Sequence, residues 1–223
     1  MKIGIVGAGN IGTALTHVLT ALGHDVAVAN SRDPETLGEL VRQTGARAVT
    51  AAEAPRGAQL VVVTVPQKNV PDLPADLLAS VAPDAVVVDT GNYYPQQRDG
   101  RIDAIEDGEP ESRWTEKLLG HAVVKAFNNI QAPHLLAHGT PAGTGGRIAL
   151  PIAGDQADAK ATVMALVDQM GFDPVDAGSI AQSWRQQPGT PVYGTDKNAE
   201  GVRVALAAAT PGRAPEWSAA PAS

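Results

Sequence analysis

Lys2-Ile3-Gly4-Ile5-Val6-Gly7-Ala8-Gly9-Asn10-Ile11-Gly12 is the stretch that decides the fold. Ile3 to Val6 is a short β-prone run, after which Gly7, Gly9 and Gly12 set out G-x-G-x-x-G. Apolar residues at Ile11, Leu15, Val18, Leu19 and Leu22 then recur at helical spacing, Gly23 ends the helix, and Val26 to Ala29 supplies a second strand. A glycine-rich turn alone says little in a chain with 23 glycines. A strand before it and a helix after it are the context that makes it a dinucleotide-binding turn. Gly7 permits the tight turn, Gly9 lets backbone approach a pyrophosphate, and Gly12 lets helix and strand pack closely. The helix N-terminus then offers unpaired N–H groups and partial positive charge to phosphate oxygens.

The tip of the second strand distinguishes the two nicotinamide dinucleotides. An acidic residue there would bond a ribose 2′-hydroxyl and repel a 2′-phosphate. This chain instead has Asn30-Ser31-Arg32. A hydroxyl donor and a planar guanidinium fork suit a 2′-phosphate, so NADP(H) is the expected cofactor.

Working outward, Asp33-Pro34-Glu35 reads as a capped helix start, with the helix stopping at Gly45. Arg47 to Val49 reads as a third strand and Ala51 to Arg56 as an alanine-rich helix. Leu60 to Val65 and Ala85 to Asp89 are nearly continuous β-branched runs, the mark of strands buried on both faces of a parallel sheet. Ala122 to Phe127 is a further strand. Three strands thus end in turn or polar residues: Val65-Pro66, Thr90-Gly91-Asn92 and Asn128-Asn129. Parallel strands end on one side, so these tips should converge on Gly7 to Gly12 and line a cofactor cleft. Asn69 either starts the next short helix or approaches the cofactor. The mixed-charge stretch from Tyr93 to Arg113 reads as a solvated surface loop or lid. Arg147 to Ala153 and Phe172 to Asp176 read as later strands completing the sheet, around a helix from Ala157 to Met170 capped by Asp155. Ser183 to Gly194 cannot be one helix, Asn198 to Ala209 is a short terminal helix, and Thr210 to Ser223 reads as a disordered tail.

The expected architecture is an α/β, Rossmann-type, doubly wound and mostly parallel sheet with a small C-terminal extension. Residues 1–178 form the NADP-binding domain, 179–209 an acceptor-site or dimer segment, and 210–223 the tail. The net charge of −7 without a basic run argues against nucleic acid. No cysteine is present, which excludes disulfides, thiolate metal sites and cysteine nucleophiles. Neither a signal peptide nor a run of roughly 20 apolar residues is visible, so a cytoplasmic protein without a membrane partner is expected. None of the five histidines shows metal-ligand spacing with an acidic partner, and all five read as structural or surface residues; no metal site is expected. Lys125, within a strand that should be largely buried, reads as a snorkelling or ion-paired lysine and not as a catalytic base.

Gly7-Ala8-Gly9-Asn10-Ile11-Gly12, Asn30-Ser31-Arg32, Thr64-Val65-Pro66, Val123 to Ile130 and Pro174-Val175-Asp176-Ala177-Gly178 occur in an order that resembles the NADP-dependent coenzyme F420 oxidoreductases. They are equally similar to the cytosolic NADPH domain of the six-transmembrane metalloreductases. The resemblance covers about Met1 to Arg185. It implies an NADPH-binding Rossmann domain that passes hydride to a flavin or deazaflavin, with F420, FMN or FAD as second substrate, and a homodimer. It also implies that Asn10 and Ile11, in the turn with Ala8, contact the pyrophosphate, Ser31 and Arg32 the 2′-phosphate, and Val65, Pro66 and Ala132 the nicotinamide region. Two departures bear on the acceptor: Gln186-Gln187-Pro188-Gly189 stands where F420-using members carry a long apolar helix, and Asn128 where they tend to carry His. Hydride transfer between two rings needs little acid–base help, and no single catalytic side chain stands out. The competing readings are a non-catalytic NADP(H) sensor and a small imine or β-hydroxyacid reductase.

Overall fold

The computed structural model describes residues 1–220. Six parallel strands make the main sheet: β1 (Lys2–Val6), β2 (Asp25–Ala29), β3 (Arg47–Ala48), β4 (Leu60–Val63), β5 (Val86–Asp89) and β6 (Val123–Lys125). Their order is β3-β2-β1-β4-β5-β6. This is the Rossmann order, with the direction of winding reversing between β1 and β4. The helices are α1 (Asn10–Ala21), α2 (Gly38–Thr44), α3 (Asp103–Glu106), α4 (Glu111–Leu119), α5 (Ala132–Ala137), α6 (Ala157–Gln169) and α7 (Ala199–Ala208). The β-branched runs behave as expected: every residue of β4 and β5 is buried. Leu15 and Leu19 of α1 are wholly buried in the same core cluster as Leu60, Val62, Val86 and Val88. Each such side chain contributes about 1.5–3 kcal/mol by leaving water.

The later strands depart from expectation. β7 (Ala149–Ile152) and β8 (Asp173–Asp176) pair in parallel with each other as a separate two-stranded sheet. One antiparallel bridge, Lys125 to Ala153, joins them to β6. Lys125 N–H donates to the Ala153 carbonyl (2.7 Å) and Ala153 N–H donates back (3.1 Å). The chain reaches this edge in the opposite direction, so it meets β6 without lengthening the parallel ladder. α7 packs on the small sheet through Val202, Ala205 and Leu206.

Other expectations are corrected. Residues 51–57 form turns instead of a helix. Asp155 does not cap α6, whose N-cap is Gln156; its carboxylate accepts the Ile180 N–H at 2.9 Å. The stretch from Tyr93 to Arg113 is solvated only in part: Arg98, Arg101, Asp103 and Asp107 are exposed, whereas Tyr93, Ile105, Glu111 and Ser112 are buried. Asp99 organises its first turn, accepting from Tyr94 N–H (2.7 Å) and pairing with Arg98 (2.9 Å). Residues 210–220 are ordered too. Arg213 bridges to the buried Glu111, and Trp217 lies against Tyr94 and Tyr193 with ring centroids 6.1 and 5.9 Å away. The disorder expected for residues 221–223 falls outside the described residues.

Candidate dinucleotide cleft

The glycine turn leaves β1 at the point where the winding reverses. Gly7 has φ +114°, and a Cβ there would lie 2.4 Å from the Thr64 carbonyl oxygen. A Cβ on Gly12 would lie 1.9 Å from the Gly7 carbonyl oxygen, so α1 can sit this close to the turn only with glycine. Gly9 differs: a Cβ there would meet nothing within 4 Å. No protein atom requires its small size, and the space above it is where a pyrophosphate would approach. The first backbone bond of α1 runs from Thr13 N–H to the Gly9 carbonyl (2.8 Å). The preceding N–H groups therefore have no intrahelical partner, and the first turn carries no acidic residue to compete for them.

A cleft of about 780 Å³ opens here, lined by Ala8, Gly9, Asn10 and Ile11 on one side and by Ala132, Pro133 and Leu136 of α5 on another. Asn92, Tyr94, Asn128 and Tyr193 close it. Hydrogen bonds tie its polar floor together. Asn92 Nδ2 donates to the Asn128 carbonyl (2.9 Å), and Asn128 Nδ2 donates to Asn92 Oδ1 (3.1 Å) and the Gln186 carbonyl (2.6 Å). Gln186 Nε2 donates to Asn128 Oδ1 (2.9 Å). Phe127, just before Asn128, has φ +62°, a left-handed conformation that costs a non-glycine residue on the order of 1–3 kcal/mol. The wholly buried ring holds that turn in place and aims Asn128 into the cleft.

Below the floor, Lys125 and Asp89 form a buried ion pair at 3.1 Å. Asp89 also accepts from Gly91 N–H (2.8 Å) and Ser112 Oγ (2.7 Å), and the Lys125 ammonium donates to the Gly91 carbonyl. Both charges are therefore satisfied internally. They position the β5 and β6 tips and do not reach the cleft.

Ala8, Gly9, Asn10, Ile11, Asn92, Asn128 and Ala132 thus line one cavity, as their sequence positions suggested. Gly7 and Gly12 shape its turn. Val65 and Pro66 lie at the β4 tip and are partly buried, but neither lines the cavity. Asn69, expected either to start the next short helix or to approach the cofactor, sits inside a 3₁₀ turn, Gln67–Asp72, and does not line the cavity. Gly91 does not line the cavity either; its N–H and carbonyl are both engaged by the ion pair beneath. Asn30, Ser31 and Arg32 lie beyond the cavity at the β2 tip. Asn30 Oδ1 accepts the Arg32 N–H (2.9 Å), and Asp33 Oδ1 accepts the Glu35 N–H (2.9 Å). The acidic neighbour is thereby tied to a 3₁₀ turn, Pro34–Leu37, while the Ser31 and Arg32 side chains stay exposed.

Sequence reasoning missed the aromatic wall. Tyr94 and Tyr193 hydroxyls hydrogen-bond to each other across the cleft mouth, and burial, then the Tyr94 bond, pushes the Tyr193 hydroxyl well above the usual phenol range. The two residues are 99 apart in the chain, and only the scarcity of tyrosine (three in all) hinted at either. The histidine reading is also corrected. His134 and His138 do have an acidic partner, Asp196, brought to α5 by the turn after Tyr193.

The model for NADP oxidoreductase, coenzyme F420-dependent, matches residues 2–93. A hypothetical protein from Sinorhizobium meliloti has a solved structure of TM-score 0.76 and 31% identity, covering 88% of this chain and 94% of its own. A proposed F420-dependent NADP-reductase from Arthrobacter sp. FB24 superposes with TM-score 0.68 over 82% of this chain and 87% of its own; at 24% identity this speaks to fold. Metalloreductase STEAP3 of Rattus norvegicus is 31% identical over 183 residues, 82% of this chain and 35% of its own. The chain spans less than half the length of the curated relatives it matches. No helix among the described residues is long and apolar enough to cross a membrane. With its Rossmann strand order and glycine turn, the chain matches the NADP oxidoreductase, coenzyme F420-dependent, family over residues 2–93.

Proposed function

We propose that this chain binds NADPH in the cleft and reduces a flavin or deazaflavin ring of the F420, FMN or FAD type. The observation that carries the reading is the single cavity running from the Gly9 turn to the Tyr94–Tyr193 wall. It joins a phosphate-binding helix end to a broad, partly aromatic mouth suited to two stacked rings. The Gly7–Gly12 turn, with Ala8, Asn10 and Ile11, holds the pyrophosphate, and Ser31 and Arg32 hold the 2′-phosphate. Asn92, Asn128 and Ala132 face the nicotinamide end, with Val65 and Pro66 supporting it from the β4 tip. The dihydronicotinamide supplies a hydride when bound; the protein orients the rings and excludes water. Because the Asn92–Asn128–Gln186 bonds are already made, the floor needs no rearrangement to receive a ring.

The test is NADPH oxidation by the purified chain with F420, FMN, FAD and riboflavin in turn. Turnover with one of them is expected, and silence with all four removes the reading. One observation favours a second reading, reduction of a carbonyl or imine carbon. The Tyr193 hydroxyl lines the cleft, where it can hydrogen-bond the oxygen or nitrogen of a C=O or C=N group and pass it a proton as hydride reaches the carbon. Under that reading Tyr193→Phe lowers kcat by roughly 10²–10⁴ on carbonyl or imine substrates. A flavin-type acceptor would change far less.

A further inference from the structure

α5 has two sides with different chemistry. Ala132, Pro133 and Leu136 face the cleft, whereas His134 and His138 stand four residues apart and do not line it. Their rings stack with centroids 4.5 Å apart and planes at 21°. Asp196 approaches from the segment after Tyr193, its carboxylate oxygen 2.7 Å from His134 Nδ1. One ligand atom from each of the three lies within 4.8 Å of the other two. The short His134–Asp196 approach is not a hydrogen bond: buried Nδ1 has no aligned partner. A ring nitrogen and a carboxylate oxygen therefore converge without a well-placed proton between them.

We propose that His134, His138 and Asp196 form a binding site for a divalent transition-metal ion of the zinc class, with solvent completing the coordination. Two imidazoles and one carboxylate are a borderline donor set, suited to zinc and its neighbours and poorly matched to the all-oxygen shells of calcium or magnesium. Bonds of about 2.0–2.2 Å in a tetrahedral shell put ligand atoms about 3.3–3.6 Å apart. His138 and Asp196 are exposed and can turn to close that shell around the partly buried His134. The ion would tie α5 to the segment that carries Tyr193, joining two walls of the cleft from outside. This site makes no use of the hydride acceptor, so it stands or falls independently of the proposed function.

Untagged full-length protein, stripped of metal, is titrated with Zn²⁺ alone in competition with a chromophoric chelator. One equivalent should bind, and X-ray absorption at the zinc edge should show two imidazole ligands. His138→Ala and Asp196→Asn should each weaken binding at least tenfold, while metal-free NADPH affinity stays within twofold of the parent. Magnesium in tenfold excess should not displace the zinc. No competition by the parent chain overturns the proposal, as does binding that survives both substitutions or yields to magnesium. Since both substituted residues are exposed, circular dichroism matching the parent's separates loss of ligands from loss of fold.

Discussion

Gly9 and Gly12 stand three residues apart in one motif, yet a methyl group would meet opposite conditions at the two. At Gly12 it would sit 1.9 Å from the Gly7 carbonyl oxygen and 2.9 Å from Thr64 Cγ2. Gly12→Ala is therefore expected to lower stability by about 1–3 kcal/mol, the usual cost of overpacking, measurable by urea unfolding. At Gly9 the methyl would project into open space with φ −76°, which alanine adopts freely. Gly9→Ala should leave the unfolding midpoint unchanged and weaken NADPH binding several-fold in calorimetry; unchanged binding would mean the phosphates lie elsewhere. The motif was legible because each glycine's duty is local. Arg32 makes the matching case for the 2′-phosphate. Its alanine variant should weaken NADPH by about 1.5–3 kcal/mol, the worth of hydrogen bonds to a charged group, with little effect on NADH. Equal losses for both nucleotides would remove Arg32 from that role.

At the scale of elements, legibility followed the range of the forces involved. β4 and β5 could be read because burial on both faces demands unbroken apolar sequence, and α1 because its buried stripe repeats every turn. Residues 51–57 share the composition of a helix, yet they cross the face of the sheet as turns, the Ala54 carbonyl so close over Gly4 that a Cβ there would lie 2.3 Å from it, and Gly57 at φ +63° donates its N–H to the Ser80 carbonyl (2.7 Å). The 210–220 segment was illegible for another reason. Its order rests on single side chains meeting partners a hundred residues away, which leaves no periodicity. Arg213 meets Glu111 across 102 positions and lies 5.0 Å from the Tyr93 ring. Glu111 is wholly enclosed, and burial, opposed by Arg213 and Lys125, raises its carboxyl above the ordinary 4.5. The folded state then binds more protons than the unfolded chain between the two values. That contribution to stability is full below 4.5 and is lost as pH rises through the folded value. Glu111→Gln should flatten this decline in pH-dependent urea unfolding, and Arg213→Ala should steepen it. A pH profile identical in all three proteins would show that Glu111 does not titrate differently on folding.

On the scale of the whole molecule, the Rossmann-type sheet and the position of the cleft followed from the glycine turn and the polar strand tips, because the Rossmann reversal point lies beside β1. The far walls did not. Asn92, Asn128 and Gln186 meet at the cleft floor from three separate segments, and Tyr94 meets Tyr193 from two more. Such meetings are set by how the small β7–β8 sheet docks on β6 through the Lys125–Ala153 bridge. No spacing within any one segment encodes them. The same docking brings Asp196 to α5.

Trp217 rests on both tyrosines of the cleft mouth, 6.1 Å from one ring and 5.9 Å from the other, without itself lining the cavity. That placement gives the protein an intrinsic optical reporter. Indole emission overlaps dihydronicotinamide absorption, so a nucleotide seated in the cleft should quench Trp217 by resonance energy transfer, much more strongly than a tryptophan farther away. Trp217→Phe should remove most of the NADPH-dependent quenching while calorimetric affinity holds. Quenching that persists in full would mean that Trp114 or Trp184 carries the signal.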